Sequence, residues 1–491
     1  MSVLTKKPLA ALLADAETTP LRRVLGPVHL TMLGVGAIIG SGIFVLTGVV
    51  AAQNAGPALV LSMILAGIAC AFAGLCYAEF ASMIPVAGSA YTYAYATLGE
   101  IFAWIIGWDL ILEYSLSAST VAVGWSGLVV SLLNDFGLAL PPPLTEATGT
   151  SIALAGGGSA TALFNLPAVL VVVAVTALLV VGIRESAGAN AVIVIVKVLV
   201  LLLFIGFGAA YVRPENWKPF IPENTGTFGE FGWSGILRGA GIIFFAYIGF
   251  DAVSTAAQEA KNPQRDLPIG ILASLAVCTV LFIATALVLT GIIPYTRLDV
   301  AAPVALAVDE TGLGWLRPFI KLGAIAGLSS VILVLLMAQP RIFMAMSRDG
   351  LLPPLFSRIH ARFRTPAITT VLTGGVVALA AGLIPISVLS QLVAMGTLLA
   401  FAIVCGAVLV LRRTNPELAR PFRTPGSPWV PLAGVASCLY LMSGLPLATW
   451  ERLIIWLAIG LAIYFAYSRA RAARVRLGAR EAVLVGQDTG G

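Results

Sequence analysis

Long apolar runs separated by short polar turns dominate the chain. Each run is long enough to cross a hydrocarbon core of roughly 30 Å as a helix. The alternating ten-residue pattern of membrane barrels does not occur. The runs therefore predict an all-α polytopic membrane protein with about twelve transmembrane helices. The predicted segments cover residues 28–50, 58–82, 97–131, 163–183, 188–212, 233–257, 269–293, 316–346, 367–384, 386–411, 429–448 and 451–468.

The third and eighth segments are longer than one membrane crossing requires, so we expect each to contain a turn or a strong tilt. Composition agrees with a membrane protein, since 59% of the residues are hydrophobic and only 11% are charged. Residues 1–27 carry Lys6 and Lys7 before a short apolar stretch that ends in acidic residues. We interpret them as a retained cytoplasmic segment rather than a signal peptide.

The distribution of basic residues predicts the orientation. With both termini in the cytoplasm, the inner loops and tails hold 21 lysines and arginines and the outer loops hold 7. The inner bases concentrate between Arg341 and Arg364 and in the tail from Arg469 to Arg480. A net charge of +6 can indicate nucleic-acid binding, but bases at helix ends fit membrane topology better. We predict no nucleic-acid partner.

Several chemistries are disfavoured by the residues that are missing. The five cysteines fall inside apolar segments without metal-ligand spacing, and we interpret them as packing residues. Only two histidines occur, and no phosphate-binding Walker loop appears. A membrane enzyme would need a nucleophile elbow or paired metal ligands, which are also lacking. The sequence predicts no metal, no cofactor and no enzymatic activity.

One ammonium group lies where a membrane helix should carry none. Lys197 occupies the fifth segment, within the run Val-Ile-Val-Ile-Val-Lys-Val-Leu-Val at 192–200. A charged lysine at the centre of a spanning helix costs roughly 2.5–3.5 kcal/mol on insertion scales. Snorkelling to an interface is the alternative, but Lys197 lies well inside its segment. We expect the protein to give this lysine a partner or a task.

The first segment contains four glycines in nine residues, in the run Gly-Val-Gly-Ala-Ile-Ile-Gly-Ser-Gly at 34–42. Each glycine weakens a helix interior by up to roughly 1 kcal/mol relative to alanine, which favours local unwinding. A small-residue packing face is the alternative, since Gly36 and Gly40 form a GxxxG pair. Unwound backbone within a membrane is tolerated where it lines a cavity, so its free N–H and C=O groups can bind a ligand.

The sixth segment repeats this feature, because Gly239, Gly241 and Gly249 surround the run Phe-Phe-Ala-Tyr-Ile-Gly-Phe-Asp at 244–251. Two glycine-interrupted helices in corresponding positions indicate a transporter built from two inverted repeats, each contributing one broken helix.

This pairing resembles the amino acid–polyamine–organocation (APC) superfamily of permeases, which have the LeuT fold. The run Gly-Ala-Ile-Ile-Gly-Ser-Gly-Ile-Phe at 36–44 carries the resemblance, together with the runs at 77–93, 259–271 and 346–353. The run Gly-Trp-Asp-Leu-Ile-Leu-Glu-Tyr at 107–114, with Lys197, is similar more narrowly to the cationic amino acid transporter family. About twelve segments resemble its shorter bacterial members.

The resemblance implies a location in the bacterial plasma (inner) membrane and a substrate site between helices 1, 3, 6 and 8. It also implies a division of the chain. The parts are a cytoplasmic N-terminal segment (1–27), helices 1–5 as one inverted repeat (28–212), helices 6–10 as the other (233–411), two additional helices (429–468) and a basic cytoplasmic tail (469–491).

An amino acid carries a carboxylate and an ammonium, and a broken helix offers partners for both at its free N–H and C=O groups. The resemblance assigns the carboxylate to the amides near Ser41, Gly42 and Ile43, and the ammonium to the carbonyls of Ile38, Phe245, Ala246 and Ile248.

The remaining walls of the site would set selectivity. Phe245, Ile248 and Leu328 are the candidate apolar walls, and Leu328 is equally well an ordinary core or lipid-facing leucine. Glu113 on helix 3 could face a cationic side chain, or it could make an internal hydrogen bond to the unwound segment.

Two residues are candidates for proton coupling. In sodium-coupled relatives a cation holds helix 1 against helix 8, and the resemblance implies that the Lys197 ammonium replaces it. We hypothesise that protonated Lys197 bridges to the broken part of helix 1 and favours substrate capture from outside, and that its deprotonation loosens the bundle. Asp251, just beyond the sixth-segment break, is a second titratable candidate or a helix-terminus hydrogen-bonding residue.

We therefore predict a secondary active transporter that imports amino acids by proton-coupled symport with alternating access. Small neutral or broad substrates are favoured, because only Glu113 could oppose a cationic side chain. The alternatives are a carrier or exchanger of arginine, lysine or ornithine, and a substrate-sensing receptor. The predicted partners are the substrate, the proton and membrane lipid, and a small accessory membrane subunit is left open.

Overall fold

The structure, a computed structural model, describes residues 4–7, 23–84, 86, 89–153, 159–182, 187–300 and 302–477. Most of the predicted N-terminal segment and the end of the basic tail lie outside these residues. Within them, helices α1 to α16 account for nearly all the regular structure. Their bounds are Pro27–Ile38, Thr47–Val50, Leu59–Met83, Ser89–Thr97, Glu100–Asp135, Leu166–Val181, Ala187–Gly208, Gly232–Ile243, Ala252–Thr255, Pro263–Ile292, Pro303–Glu310, Leu316–Arg348, Ala367–Leu383, Ile386–Thr414, Trp429–Gly444 and Leu447–Ile463.

Each of the twelve predicted segments overlaps at least one of these helices. The first segment contains α1 and α2, the sixth contains α8 and α9, and the third, fifth, eighth and tenth correspond to α5, α7, α12 and α14. Eight helical stretches among the described residues are long and apolar enough to cross a membrane, and four shorter apolar helices accompany them. The chain is an all-α, multi-pass membrane protein.

A small hairpin forms the only β-sheet within the described part of the chain. Strands β1 (Ser151–Ala153) and β2 (Ser159–Thr161) pair antiparallel between α5 and α6. After the hairpin, the Asn165 side chain accepts hydrogen bonds from the Ala168 N–H at 3.2 Å and from the Ser126 hydroxyl at 2.6 Å. Asn165 thereby caps α6 and fixes its start against α5.

The two longest helices run without a break. α5 spans 36 residues and α12 spans 33, so the turn expected in the third and eighth segments is absent from both. They pack antiparallel. The Trp125 Nε1 donates to Ser329 Oγ at 2.9 Å, and at the opposite end Gly107 leaves room for Met346. The pair forms one continuous wall of the molecule.

The broken first helix packs closely on α10. A side chain at Gly34 would collide with Ser274, and one at Gly270 would lie 2.8 Å from Leu30 Cβ. These glycines permit the helix axes to approach, as in other membrane helix pairs.

The segment before α1 is joined to the segment after α9 by main-chain hydrogen bonds. The Val24 and Leu25 N–H groups both donate to the Glu259 carbonyl at 2.9 Å, and the Lys261 N–H donates to the Leu25 carbonyl at 2.9 Å. The predicted cytoplasmic ends of the two broken helices are therefore linked directly.

A buried ion pair holds the loop between α14 and α15 against the end of α3. Glu79 is 2% exposed, and Arg412 donates to its two carboxylate oxygens at 3.0 and 2.6 Å. The Thr424 N–H donates to the same carboxylate at 2.8 Å, and Arg420 lies 3.5 Å away. A bidentate pair of this kind fixes geometry as well as neutralising the buried charge.

We expect Arg412→Ala to destabilise the protein, because it leaves the buried Glu79 carboxylate short of donors. The cost should be about 1–3 kcal/mol, since Thr424 and Arg420 remain, and it should appear as a lower thermal unfolding midpoint in detergent. Arg413→Ala is the matched control, because Arg413 is exposed and its substitution removes the same charge. Equal losses in the two variants would contradict the structural role of the pair.

Candidate substrate site

The first predicted segment is interrupted near its middle. α1 ends at Ile38, Ile39 has an extended backbone (ψ 94°), and a π-helical turn begins at Gly42. The last helical hydrogen bond runs from the Ile39 N–H to the Val35 carbonyl. The carbonyls after Val35 are therefore without their usual helical donors. The unwinding that the glycines predict is present.

The sixth segment is interrupted at the same depth. α8 ends at Ile243, a 3-10 turn covers Phe244–Tyr247, and Ile248 is extended (ψ 138°). Gly249 has φ +121°, a conformation that side chains rarely adopt. A Cβ atom at this position would also lie 2.8 Å from the Ala37 carbonyl carbon. Only glycine fits this turn.

The two breaks touch each other. A Cβ atom at Gly42 would collide with the Cα of Ala246, and Gly249 packs on the backbone of Ala37. The two contacts therefore join Ala37 and Gly42, on either side of the break in the first segment, to Gly249 and Ala246, within the break in the sixth. The free backbone groups of both helices come together at one place.

A cavity of about 430 Å³ opens beside the breaks. It extends from Ser41 to His29, Glu259 and Arg341, which lie on the predicted cytoplasmic side. Seven of the residues predicted for the site lie on its wall: Ile38, Ser41, Gly42, Glu113, Phe245, Ile248 and Asp251. The cavity combines the two breaks with one face of α5 and one face of α12.

The other predicted residues lie away from the cavity wall. Ile43, Ala246 and Leu328 are buried, and the cavity lining does not include them. On α12, the cavity is lined only by residues that follow Leu328 in the chain, namely Ser330, Val331, Val334, Leu335, Met337, Ala338 and Arg341.

Sequence reasoning did not identify the α5 residues next to Glu113. Tyr114, Ser117 and Val121 all line the cavity. Ser117 and Val121 follow Glu113 by four and eight residues, which places them on the same helix face. Helical spacing from Glu113 was the signal that could have found them.

Two serine hydroxyls in the cavity wall have no partner among the described residues. Ser41 Oγ and Ser117 Oγ make no hydrogen bond, although the residues are only 0% and 3% exposed. Buried polar groups are nearly always hydrogen-bonded. These hydroxyls are therefore available to a molecule that enters the cavity.

Lys197 lies between α1 and α12. Its Nζ donates to the Gly36 carbonyl at 2.8 Å, and a Cβ atom at Gly327 would lie 2.8 Å from the Lys197 Cγ. Gly36 is one of the residues whose carbonyl is released when α1 ends. The side chain is 1% exposed, so snorkelling to an interface is excluded.

The carboxylates of Glu113 and Asp251, which line the cavity beside the breaks, have different neighbours. The Glu113 carboxylate interacts with Thr397 of α14, so its polar neighbour is neither a base nor the unwound first helix. The Asp251 carboxylate lies near the backbone of Gly249 and Ala252, but it makes no capping hydrogen bond to α9. Asp251 lines the cavity, so its carboxylate is available to a group that enters it.

Comparison with known proteins gives the family. A family model described as amino acid permease matches residues 25–464, which is most of the chain and includes both breaks. The chain belongs to the amino acid permease family. The resemblance to the APC superfamily is thereby confirmed, and this permease is a membrane transport protein rather than an enzyme.

Three relatives align with most of the length of this permease. The chain is 50% identical over 468 residues to the methylthioribose transporter of Bacillus subtilis, covering 95% of this permease and 98% of that protein. It is 48% identical over 470 residues to the branched-chain amino acid permease BcaP of the same organism, with coverage of 95% and 98%. The vacuolar cationic amino acid transporter 4 of Arabidopsis thaliana is 40% identical over 400 residues, covering 81% of this permease and 64% of that protein.

We expect Gly42→Ala to abolish substrate binding by this permease, because the added methyl group would collide with Ala246 and separate the two breaks. Gly40→Ala is the matched control, since a Cβ atom at Gly40 meets nothing closer than 3.9 Å. Saturable uptake into proteoliposomes should fall at least tenfold in the first variant and much less in the second. Similar uptake by the two variants would show that the contact between the breaks is dispensable.

Proposed function

We propose that this permease imports small neutral amino acids across the bacterial plasma membrane by proton-coupled symport with alternating access. The observation that carries the proposal is the contact between two interrupted helices at the wall of one cavity. That contact brings free N–H groups and free C=O groups within reach of a single small ligand. An α-amino acid is the common metabolite that needs both kinds of partner on one carbon.

The assignment of backbone partners follows the direction of the helix ends. The amides near Ser41, Gly42 and Ile43 begin the outer half of the first segment, where a helix N-terminus favours a carboxylate. The Ile38 carbonyl ends the inner half of the first segment, and the carbonyls of Phe245, Ala246 and Ile248 end the outer half of the sixth. C=O groups at such helix ends favour an ammonium. The unpartnered Ser41 hydroxyl is a further donor for the carboxylate.

The cavity walls beside the breaks support a neutral side chain. Val121, Val331, Phe245 and Ile248 present apolar groups there, and the acidic residues Glu113 and Asp251 belong to the more cytoplasmic part of the cavity. A cationic side chain at the breaks would lack a counter-charge. The similarity to a branched-chain amino acid permease agrees with this preference.

Alternating access between two inverted repeats accounts for the shape of the cavity. We assign the repeats to residues 28–212 and 233–411, each with one broken helix, in the LeuT-type arrangement. The cavity extends toward the predicted cytoplasmic side, whereas on the outer side Gly48 of α2 packs against Leu298 and Pro303 at the start of α11. The protein in this state would accept or release substrate inside the cell.

Proton coupling is assigned to Lys197, with Asp251 as a second titratable group. Charged Lys197 bonded to Gly36 ties α1 to the α7–α12 side of the molecule. Loss of the proton would remove most of that attraction, because an ion–dipole hydrogen bond is roughly twice as strong as a neutral one. The inner half of the first segment would then be free to move.

Uptake of methylthioribose or a similar neutral solute is the second candidate function. It is favoured by the similarity to a methylthioribose transporter and by the unpartnered hydroxyls of Ser41 and Ser117, which suit a polyol. A carrier of cationic amino acids is a further candidate, supported by similarity to proteins of that name. The remaining alternative is a substrate-sensing receptor, which would bind the substrate without transporting it.

A binding panel separates these functions. We expect leucine, isoleucine, valine and alanine to raise the thermal midpoint of the purified protein, since a ligand at 100 times its Kd stabilises by about 2.7 kcal/mol. Arginine, lysine and methylthioribose should have smaller effects. If only arginine or only methylthioribose raises the thermal midpoint, that compound is the substrate and the proposal of a neutral amino acid is wrong. Counterflow of labelled leucine in proteoliposomes distinguishes a carrier from a receptor.

Lys197→Met tests the coupling. We expect this variant to lose accumulation of substrate driven by an acidic exterior, by at least tenfold, while counterflow without a gradient persists. Lys321→Met is the matched control, because Lys321 is also 1% exposed but pairs with Asp135 at 2.6 Å near the outer end of α12. Gradient-driven accumulation by Lys197→Met would refute the proton-coupling role.

A further inference from the structure

The cytoplasmic part of the cavity contains a second group of polar side chains. Glu113, Tyr114 and Ser117 line it from α5, and Asp251 lines it from the opposite side beyond the break in the sixth segment. All four residues are buried, with Glu113, Ser117 and Asp251 each 3% exposed. We name these four residues the inner acidic group.

The α5 members of the inner acidic group lie away from the contact between the breaks, whereas Asp251 lies two residues beyond Gly249. Ser41 packs on α5 at Gly124, where a Cβ atom would lie 3.0 Å from the Ser41 Cβ. Ser117 precedes Gly124 by seven residues and Glu113 by eleven, which corresponds to about 10 Å and about 16 Å along the helix axis. A ligand held at the breaks therefore leaves Glu113, Tyr114 and Ser117 uncovered.

Neither carboxylate is paired with a base in the described part of the chain. The ion pairs of the structure involve Glu79, Glu100 and other carboxylates nearer the two surfaces, but not Glu113 or Asp251. The two carboxylates are close enough to interact with each other electrostatically. Arg341 and His29 line the same cavity, but neither forms an ion pair with Glu113 or Asp251 in the described part of the chain.

Two further side chains indicate which chemical group this part of the cavity can bind. The Ser117 hydroxyl has no hydrogen-bond partner among the described residues and can accept from an N–H donor. Tyr114 contributes an aromatic side chain that interacts electrostatically with both carboxylates. Carboxylates combined with a hydroxyl acceptor and an aromatic ring are the groups that bind an alkylammonium ion.

We propose that the inner acidic group is a binding site for primary ammonium groups, occupied by the substrate ammonium after it leaves the breaks and before it enters the cytoplasm. This proposal rests on the proposed import of amino acids. The substrate would exchange the carbonyls at the breaks for Glu113, Asp251 and Ser117, so its charge stays compensated along the cavity. The site requires an ammonium but no carboxylate, which distinguishes it from the site at the breaks.

Isobutylammonium chloride tests the site, because it has the side-chain carbons and ammonium of valine but no carboxylate. It is charged at pH 7, as a lysine side chain is. We expect calorimetric titration of the purified protein to detect binding that persists in saturating leucine, since the two sites are separate. The Kd for isobutylammonium should rise at least tenfold in Glu113→Gln and about fivefold in Ser117→Ala, where one neutral hydrogen bond is lost.

Asp109→Asn is the control, because Asp109 is a buried carboxylate on the same helix that the cavity lining does not include. Its Kd for isobutylammonium should stay within twofold of the parent value. Complete competition by leucine, equal affinity in Glu113→Gln, or an equal loss in Asp109→Asn would overturn the proposal. Ser117→Ala keeps the test decisive if Glu113→Gln does not fold. Leucine transport is measured separately, so absence of transport counts against the proposed function and absence of ammonium binding counts against this site.

Discussion

The structure depends on one constraint of the membrane interior, which is that a backbone polar group without a partner is costly in the absence of water. Two helices break this rule at the same depth, and they are tolerated because they lie against each other. The collision that any side chain at Gly42 would make with Ala246 shows how closely the breaks approach. Lys197 then supplies a donor to one of the released carbonyls, Gly36. The remaining free groups face a cavity.

The two walls of that cavity differ in mechanical character. One wall consists of α5 and α12, which are uninterrupted and are joined to each other near both ends. The other consists of the broken first and sixth segments. A rigid wall facing a hinged wall confines changes of shape to the hinged side. The apolar residues of α5 and α12 beside the breaks can therefore define selectivity without moving.

The sequence predicted the large elements well, because the length of an apolar run and a cluster of glycines act locally. It did not identify the residues of α5 and α12 that line the cavity. On α5, the four-residue spacing from Glu113 to Ser117 marks one helix face, but Ser117 alone does not indicate a site. On α12, nothing in the apolar pattern singled out the stretch that begins at Ser330 over Leu328. The β1–β2 hairpin was missed because three-residue strands leave no periodic pattern. The Arg412 contact with Glu79 joins residues far apart in the chain, which no local pattern reveals.

The main-chain hydrogen bonds that join Leu25 to Glu259 and Lys261 couple the two broken helices to each other. Two independently broken helices would give the cytoplasmic side two separate motions and several partly open shapes. Because their inner ends are bonded through the backbone, which no side-chain substitution removes, the alternating access proposed above would move both inner halves together. Displacement of one inner half-helix alone would first have to break these main-chain hydrogen bonds.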